Sequence, residues 1–260
     1  MLFVTWNVNS LRARLPRVIE LLEARQPDVV ALQETKCTPD NFPLTELDAA
    51  GYEAVHHSGG QWAGVALLVR RPLAPDLPLL GLPGDEVPTE ARWCEATVAG
   101  IRFVSTYVPN GRTLDSPEFP RKLGFMEAAA KRAAAIRSDN VAEGLVIAGD
   151  INVAPTDADV YDPAMYIGST HVSEPERAAL SSVEGWGLDD VFRRFNDPGT
   201  FTWWDYRAGD FHQGRGLRID LVLVSDDLVQ RATGAFRDRD ARKGQKPSDH
   251  APVVVDFADS

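Results

Sequence analysis

Leu145-Val146-Ile147-Ala148, closed by Gly149-Asp150-Ile151-Asn152, is an apolar run that stops on a glycine, an acid and an amide. Four apolar residues bounded by turn formers read as a buried strand, too short for a helix. The same pattern recurs in runs 2–6, 29–32, 64–69, 92–98, 101–108, 200–204, 217–224 and 251–257. Helical patterns lie between some of them. Residues 11–25 place Leu15, Val18, Ile19, Leu21 and Leu22 mostly on one face. Residues 117–137 open with Ser116-Pro117-Glu118, an N-cap with Pro at the first helical position, and keep Phe119, Leu123, Met126, Ala130 and Ala133 roughly in register. Ser173-Glu174-Pro175-Glu176 has the spacing of a capping box before another helix. Strands and helices do not strictly alternate. Runs 92–98 and 101–108, split by Ala99-Gly100, read as an antiparallel hairpin. An α/β arrangement of mixed sheets covered by helices is therefore expected. The Pro-rich stretch 71–88 reads as a long loop, and no repeat or linker divides the chain. Residues 1–260 are expected to form a single domain.

Composition excludes several classes. With 44% hydrophobic and 25% charged residues, the 260-residue chain has ordinary globular content. It is long enough to bury roughly three quarters of its unfolded surface without a disulfide or structural metal. Cys37 and Cys94 make no disulfide framework and match no zinc spacing, so both are expected as small buried thiols in a reducing compartment. The opening MLFVTWNVNSLRAR lacks a basic segment followed by an apolar one, and no apolar run approaches the roughly 18 residues that cross a bilayer. A cytoplasmic protein without membrane association is expected. The net charge of −11 argues against indiscriminate polyanion binding. Its distribution is uneven, however. Residues 138–176 hold eight acids and no Lys or Arg, whereas 237–246 hold five basic residues against Asp238 and Asp240. A basic face remains available.

Chemically capable residues follow many of the strands. Run 2–6 leads into Asn7-Val8-Asn9, run 29–32 into Gln33-Glu34-Thr35-Lys36, and Thr106 into Tyr107-Val108-Pro109-Asn110-Gly111-Arg112. Asp220 lies inside an apolar run, where a carboxylate without partners costs several kcal/mol, so it must bond to something fixed. Ser248-Asp249-His250-Ala251-Pro252 precedes the last strand. Carboxylate and carboxamide oxygens suit a hard divalent ion, an imidazole can donate to a phosphate oxygen, and an Asp beside an Asn can hold and deprotonate a water. Together they are equipment for metal-assisted phosphodiester hydrolysis. No Gly-rich phosphate loop or dinucleotide fingerprint competes.

In these motifs, taken in order over nearly the whole chain, the sequence resembles the bacterial branch of the exonuclease III family of abasic-site endonucleases, within the endonuclease/exonuclease/phosphatase superfamily. Phe201-Thr202-Trp203-Trp204-Asp205-Tyr206-Arg207 and Arg215-Gly216-Leu217-Arg218-Ile219-Asp220 extend the likeness from the superfamily to its DNA-repair branch. The resemblance implies one catalytic domain built as a four-layer α/β sandwich, two mixed β-sheets packed face to face with helices outside. It implies cleavage 5′ to abasic sites in duplex DNA, with 3′–5′ exonuclease and 3′-end trimming; a non-specific nuclease or a phosphatase of the same superfamily is the alternative. By resemblance, Glu34 binds Mg²⁺ or Mn²⁺ with Asn7 and Asp249, and Asp150, Asn152 and His250 are a possible second metal site. Asp150 activates the attacking water and Asn152 holds it. His250, oriented by Asp220, contacts the phosphate, and Tyr107 steadies developing charge. Asn110 and Arg112 touch the DNA backbone. Arg207, Arg242, Lys243 and Lys246 are expected to add phosphate contacts. Trp203, Leu217 and Ile219 are expected to line a pocket for the base-free sugar, with Leu217 and Ile219 alternating on one strand. The expected partner is double-stranded DNA with abasic sites or blocked 3′ ends, met by a monomer that joins the nucleoid when bound. Some family members carry Asp where this chain has Asn9, a departure that bears on metal affinity and that the bacterial branch tolerates.

Overall fold

The computed structural model describes residues 1–139 and 142–258. Among the described residues, twelve strands form two six-stranded sheets. The first sheet holds β1 (Leu2–Asn7), β2 (Val29–Gln33), β3 (Tyr52–His57), β4 (Val65–Arg70), β11 (Ala232–Arg237) and β12 (Val253–Phe257), in the order β11-β12-β1-β2-β4-β3. The second holds β5 (Asp76–Leu80), β6 (Trp93–Val98), β7 (Ile101–Tyr107), β8 (Gly144–Asp150), β9 (Leu188–Asp190) and β10 (Asp220–Ser225), in the order β5-β6-β7-β8-β10-β9. Each sheet is mixed: β1 and β2 run parallel, as do β7 and β8, and the other pairs are antiparallel.

Strand periodicity sorts the core into layers. Phe3, Val29, Ala31, Val65 and Leu67 of the first sheet meet Ala96, Phe103, Val146, Ala148 and Val222 of the second. Phe3 and Phe103 stack there with ring centroids 5.4 Å apart. The alternate residues Val4, Trp6, Val30 and Leu32 face outward against Val18, Leu21 and Leu22 of α1 (Leu11–Arg25) and Leu47 of α2 (Leu44–Ala49). Val104, Ile147 and Leu221 likewise pack under Phe125, Met126 and Ala129 of α3 (Glu118–Ser138) and Leu180 of α4 (Glu174–Glu184). Strands buried on both faces explain why their sequence reads as continuous apolar runs. Short helices α5 (Val191–Phe195), α6 (Asp210–Gln213) and α7 (Asp226–Val229) fill the connections. Both cysteines are free and buried. Among the described residues no helix is long and apolar enough to cross a membrane.

Polar groups also cross between the sheets. Gln33 Nε2 donates to Ser105 Oγ at 3.0 Å, Ser105 Oγ donates to the Leu32 carbonyl at 2.8 Å, and Asn7 Nδ2 donates to Asp150 Oδ2 at 2.9 Å.

Most sequence expectations for the elements hold. The 92–98/101–108 hairpin, helix 11–25 and the Ser173 capping box are present. Three do not. Stretch 71–88 contains edge strand β5, whose residues are mostly exposed and so lack an apolar pattern. Run 200–204 makes only isolated bridges, from Trp203 to Leu217 and to His250. The strand expected from 217 begins at Asp220, because Leu217 pairs with Trp203 and Val160 outside the sheet.

Candidate active site

Strand pairing brings the polar ends to one edge of the sandwich. Asn7 lies opposite Gln33, Tyr107 opposite Asp150, and Asp150 opposite Asp220. Gly149 permits the close approach of β7 and β8. Its φ is +150°, and a Cβ there would sit 1.9 Å from the Thr106 carbonyl oxygen. Glu34 follows β2 in a left-handed conformation, and the next two amides bond the carbonyls of Gly64 and Ala63. His250 is fixed by its carbonyl, which accepts from Trp6 Nε1 at 3.1 Å, and by its amide, which bonds Ser248 Oγ.

Glu34, Asp150 and His250 each bring a potential ligand atom within 4.8 Å of the others. Asn7 Nδ2 bridges the two carboxylates, donating to Glu34 Oε1 at 2.7 Å and to Asp150 Oδ2 at 2.9 Å. Its Oδ1 accepts the Asn9 amide. Asn7 therefore holds the carboxylates apart here, and its amide must rotate to offer a metal its oxygen. Lys36 Nζ lies 2.7 Å from Glu34 Oε2 and donates to Asn9 Oδ1. It occupies the position of a counter-cation, which fits carboxylates built to face positive charge. Two carboxylates and carboxamides, with Glu34 partly open to solvent, suit a hard divalent ion that retains waters.

Electrostatics separate the roles. Burial, reinforced by Asp220 and Glu34 and opposed by His250, pushes the Asp150 carboxyl up to about 7. Burial works against the His250 cation, but Asp220 and then Asp150 outweigh it and hold the imidazole at about 10. Its Nδ1 lies 2.9 and 3.0 Å from the two Asp220 oxygens, and its Nε2 lies 3.6 Å from Asp150 Oδ2. Tyr107 is raised well above a normal phenol by burial, then by Glu34 and Asp150, so it stays a donor. Asp249 stands outside the three-residue cluster. Its oxygens accept from Asn9 Nδ2 at 3.0 Å and Trp203 Nε1 at 3.2 Å, and these bonds with His250 lower its pKa despite burial. Asn152 accepts no strong bond at its side-chain oxygen: Asn110 Nδ2 is 3.4 Å away, while its own Nδ2 holds the Val108 carbonyl at 2.8 Å.

The outer residues divide. Arg112 is exposed and pairs with Glu118, Arg207 is exposed and pairs with Asp205, and Lys243 pairs with Asp240. Lys246 is exposed. Arg242 does not join them. It is only 6% exposed, its guanidinium lies against the rings of Trp204, Tyr206 and Phe211, and it donates to the Ser248 carbonyl. It therefore braces the 248–250 turn, and its guanidinium faces protein where a surface cation was expected. The pocket expectation also changes. Leu217 is 0% and Ile219 3% exposed, packed with Ala154 and Val160, so neither lines an open cavity. Trp203 alone of the three keeps exposed surface, beside His250 with ring centroids 6.5 Å apart.

Sequence reasoning missed Lys122, Glu176 and His171, which surround Asn110 and Asn152. The signal was present: Lys122 lies three residues after Phe119 and four before Met126, a charge on the buried helix face.

A sandwich with this acid–imidazole cluster at its edge defines the class. The chain belongs to the Endonuclease/Exonuclease/phosphatase family, whose sequence model matches residues 4–250. Within it the relatives are of the exonuclease III type. The chain is 32% identical over 270 residues to the exodeoxyribonuclease III of Haemophilus influenzae, covering 99% of this chain and 100% of that protein. Among solved structures it is similar to a 3′-5′ exonuclease from Neisseria meningitidis, with a TM-score of 0.95, 37% identity, and 99% and 100% of the two chains covered. It is also similar to an AP endonuclease from Archaeoglobus fulgidus, with a TM-score of 0.92, 33% identity, and 99% of each chain covered.

Proposed function

We propose that the protein is a DNA-repair nuclease that hydrolyses phosphodiesters 5′ to abasic sites in duplex DNA and trims 3′ ends, with Mg²⁺ or Mn²⁺ as cofactor. The observation that carries the reading is the convergence of Glu34, Asp150 and the Asp220–His250 pair from both sheets at one edge. Glu34, with Asn7 after amide rotation and Asp249, would hold the ion, which leaves the Asp150 carboxyl for the proton. Bound there, a hard divalent ion would polarise a phosphoryl oxygen and offset the charge that builds on it. Asp150, with a pKa of about 7, is poised to accept the proton of an attacking water held by Asn152. His250, kept cationic by Asp220, aims Nε2–H at a phosphate oxygen and acts as a fixed electrostatic stabiliser. Tyr107 donates to the same developing charge. Arg112, Arg207, Lys243 and Lys246 would meet the backbone of the duplex. The protein works as a monomer in the cytoplasm, at the nucleoid when on DNA.

Duplex oligonucleotides with an internal tetrahydrofuran abasic analogue or a 3′-phosphate, tested with Mg²⁺, Mn²⁺ and EDTA, decide the matter. Incision or phosphate release that EDTA abolishes is expected. Equal cleavage of intact DNA points to a non-specific nuclease, and activity on small phosphate esters alone to a phosphatase.

A further inference from the structure

Lys122 of α3 and Glu176 of α4 form an ion pair whose side chains are both 0% exposed. The ammonium spends its other donors on main-chain carbonyls, that of Asn152 at 2.7 Å and that of Asn110 at 3.2 Å. These carbonyls belong to different segments, one following β7 and the other following β8. Glu176 gathers the returning loop, accepting Thr170 Oγ1 at 2.8 Å, the His171 amide at 2.9 Å and the Ser173 amide at 3.1 Å. His171 Nδ1 lies 2.6 Å from the same Asn152 carbonyl.

What is gripped matters. Asn152 sits in a left-handed conformation, φ +55°, which an L-residue adopts at a cost unless its surroundings enforce it. Its amide donates to Asp150 Oδ1 at 3.0 Å. Rotation at residue 152 would thus misplace both the water-holding carboxamide and a donor that steadies the proton acceptor. Gly111 wraps the lysine stem closely: a Cβ there would lie 3.0 Å from Lys122 Cδ, at φ +83°. A buried ion pair is weak evidence for stability, since an apolar replacement of both partners is often neutral.

We infer that Lys122, anchored by Glu176, is a positioning residue that sets Asn152 and Asn110 for hydrolysis by holding their carbonyls. The inference rests on the proposed nuclease reading. It acts on the chemical step through the backbone, and touches neither DNA nor metal.

The test is single-turnover cleavage of the abasic and 3′-phosphate duplexes by Lys122→Met/Glu176→Gln, which leaves no unpaired buried charge. The maximal rate should fall about 10–100-fold while half-saturating DNA and melting temperature stay near wild type. A folded variant with the wild-type rate overturns the inference, and so does a loss confined to half-saturation. Should the double variant not fold, Lys122→Arg decides. It keeps the charge match, but its planar fork cannot bring one nitrogen to both carbonyls, so the rate should fall about tenfold at unchanged half-saturation. An unaltered rate there overturns it equally. Wild-type protein run alongside separates the two failures: if it cleaves neither duplex, the nuclease reading fails and the inference falls with it.

Discussion

Two buried charge clusters flank the segment that leaves β8, and they are wired oppositely. Around Asp159, Arg218 and Arg193 answer Asp159 and Asp190. Arg218 Nε donates to Asp159 Oδ1 at 2.6 Å, Arg218 Nη1 lies 2.6 Å from Asp190 Oδ2, and Thr156 takes the second Asp159 oxygen. Burial would raise the Asp159 carboxyl, yet its arginines hold it below the usual range. At the strand edge, the only cations paired with Glu34, Asp150, Asp220 and Asp249 among the described residues are His250 and Lys36, and Asp150 rises to about 7. Balanced charge gives a fixed structure. Unbalanced charge gives a carboxyl that exchanges a proton near neutrality and a place that welcomes a cation.

The comparison breaks most visibly at Asp150. Asp150→Asn should cost about 10³-fold in single-turnover rate, since a carboxamide takes no proton. It should also raise the melting temperature in EDTA at pH 8. The folded pKa lies above the unfolded 3.8, so the stabilising contribution of this group is complete below 3.8 and lost as pH rises through about 7. A variant that turns over normally moves the base elsewhere.

In the balanced cluster the order should invert. Asp159→Asn should destabilise by about 3–5 kcal/mol at pH 7, by leaving the buried Arg218 short of a partner, without slowing the folded fraction. Because the Asp159 pKa is depressed, that stability is present above the unfolded value and lost as pH falls through the folded one. Urea titration at pH 7 and at about pH 2 reads it: the loss should shrink at the lower pH, below the unfolded 3.8, and equal losses at both would show that charge is not the cause.

Surface charge should matter less. Replacing Lys243 and Lys246 by Ala should weaken duplex binding and flatten its salt dependence by about one log–log unit per phosphate contact. An unchanged slope means that the 243–246 turn faces solvent in the complex. The smallest effect belongs to Glu184, pushed up to about 7 by burial and then Asp190. With the folded pKa above the unfolded 4.5, its contribution is complete below 4.5 and lost as pH rises through about 7, so Glu184→Gln should raise the melting temperature by about 1–2 °C at pH 8 and not at pH 4. A shift of the same size at both would trace to packing.

The motifs at the strand ends made the active cluster legible, because those ends fall together once two sheets stack. Asp220 announced itself as an acid in an apolar run. What stayed hidden was direction. Arg242, in a basic stretch, turns inward onto three rings, and no pattern in 237–246 distinguishes it from Lys243. Leu217 and Ile219 look like pocket residues but are sealed by neighbours 60 residues away in sequence, such as Val160 and Ala154. Strands β3, β5, β9 and β11 went unread because half-exposed or very short strands carry little periodicity. Glu176 was read as a capping residue, which it is, but its second role needs Lys122 from another helix.

The Gln33–Ser105–Leu32 and Asn7–Asp150 bonds that link the sheets bear on how such a chain can change over generations. Apolar packing resists separation of two sheets but tolerates sliding, because methyl groups have no preferred direction. Directional bonds tolerate neither. With the lateral alignment of the sheets fixed at two places, the aliphatic interior is free to exchange Val for Ile or Leu for Met without carrying Glu34 away from Asp150. The inner side chains can drift, and a handful of polar ones must not.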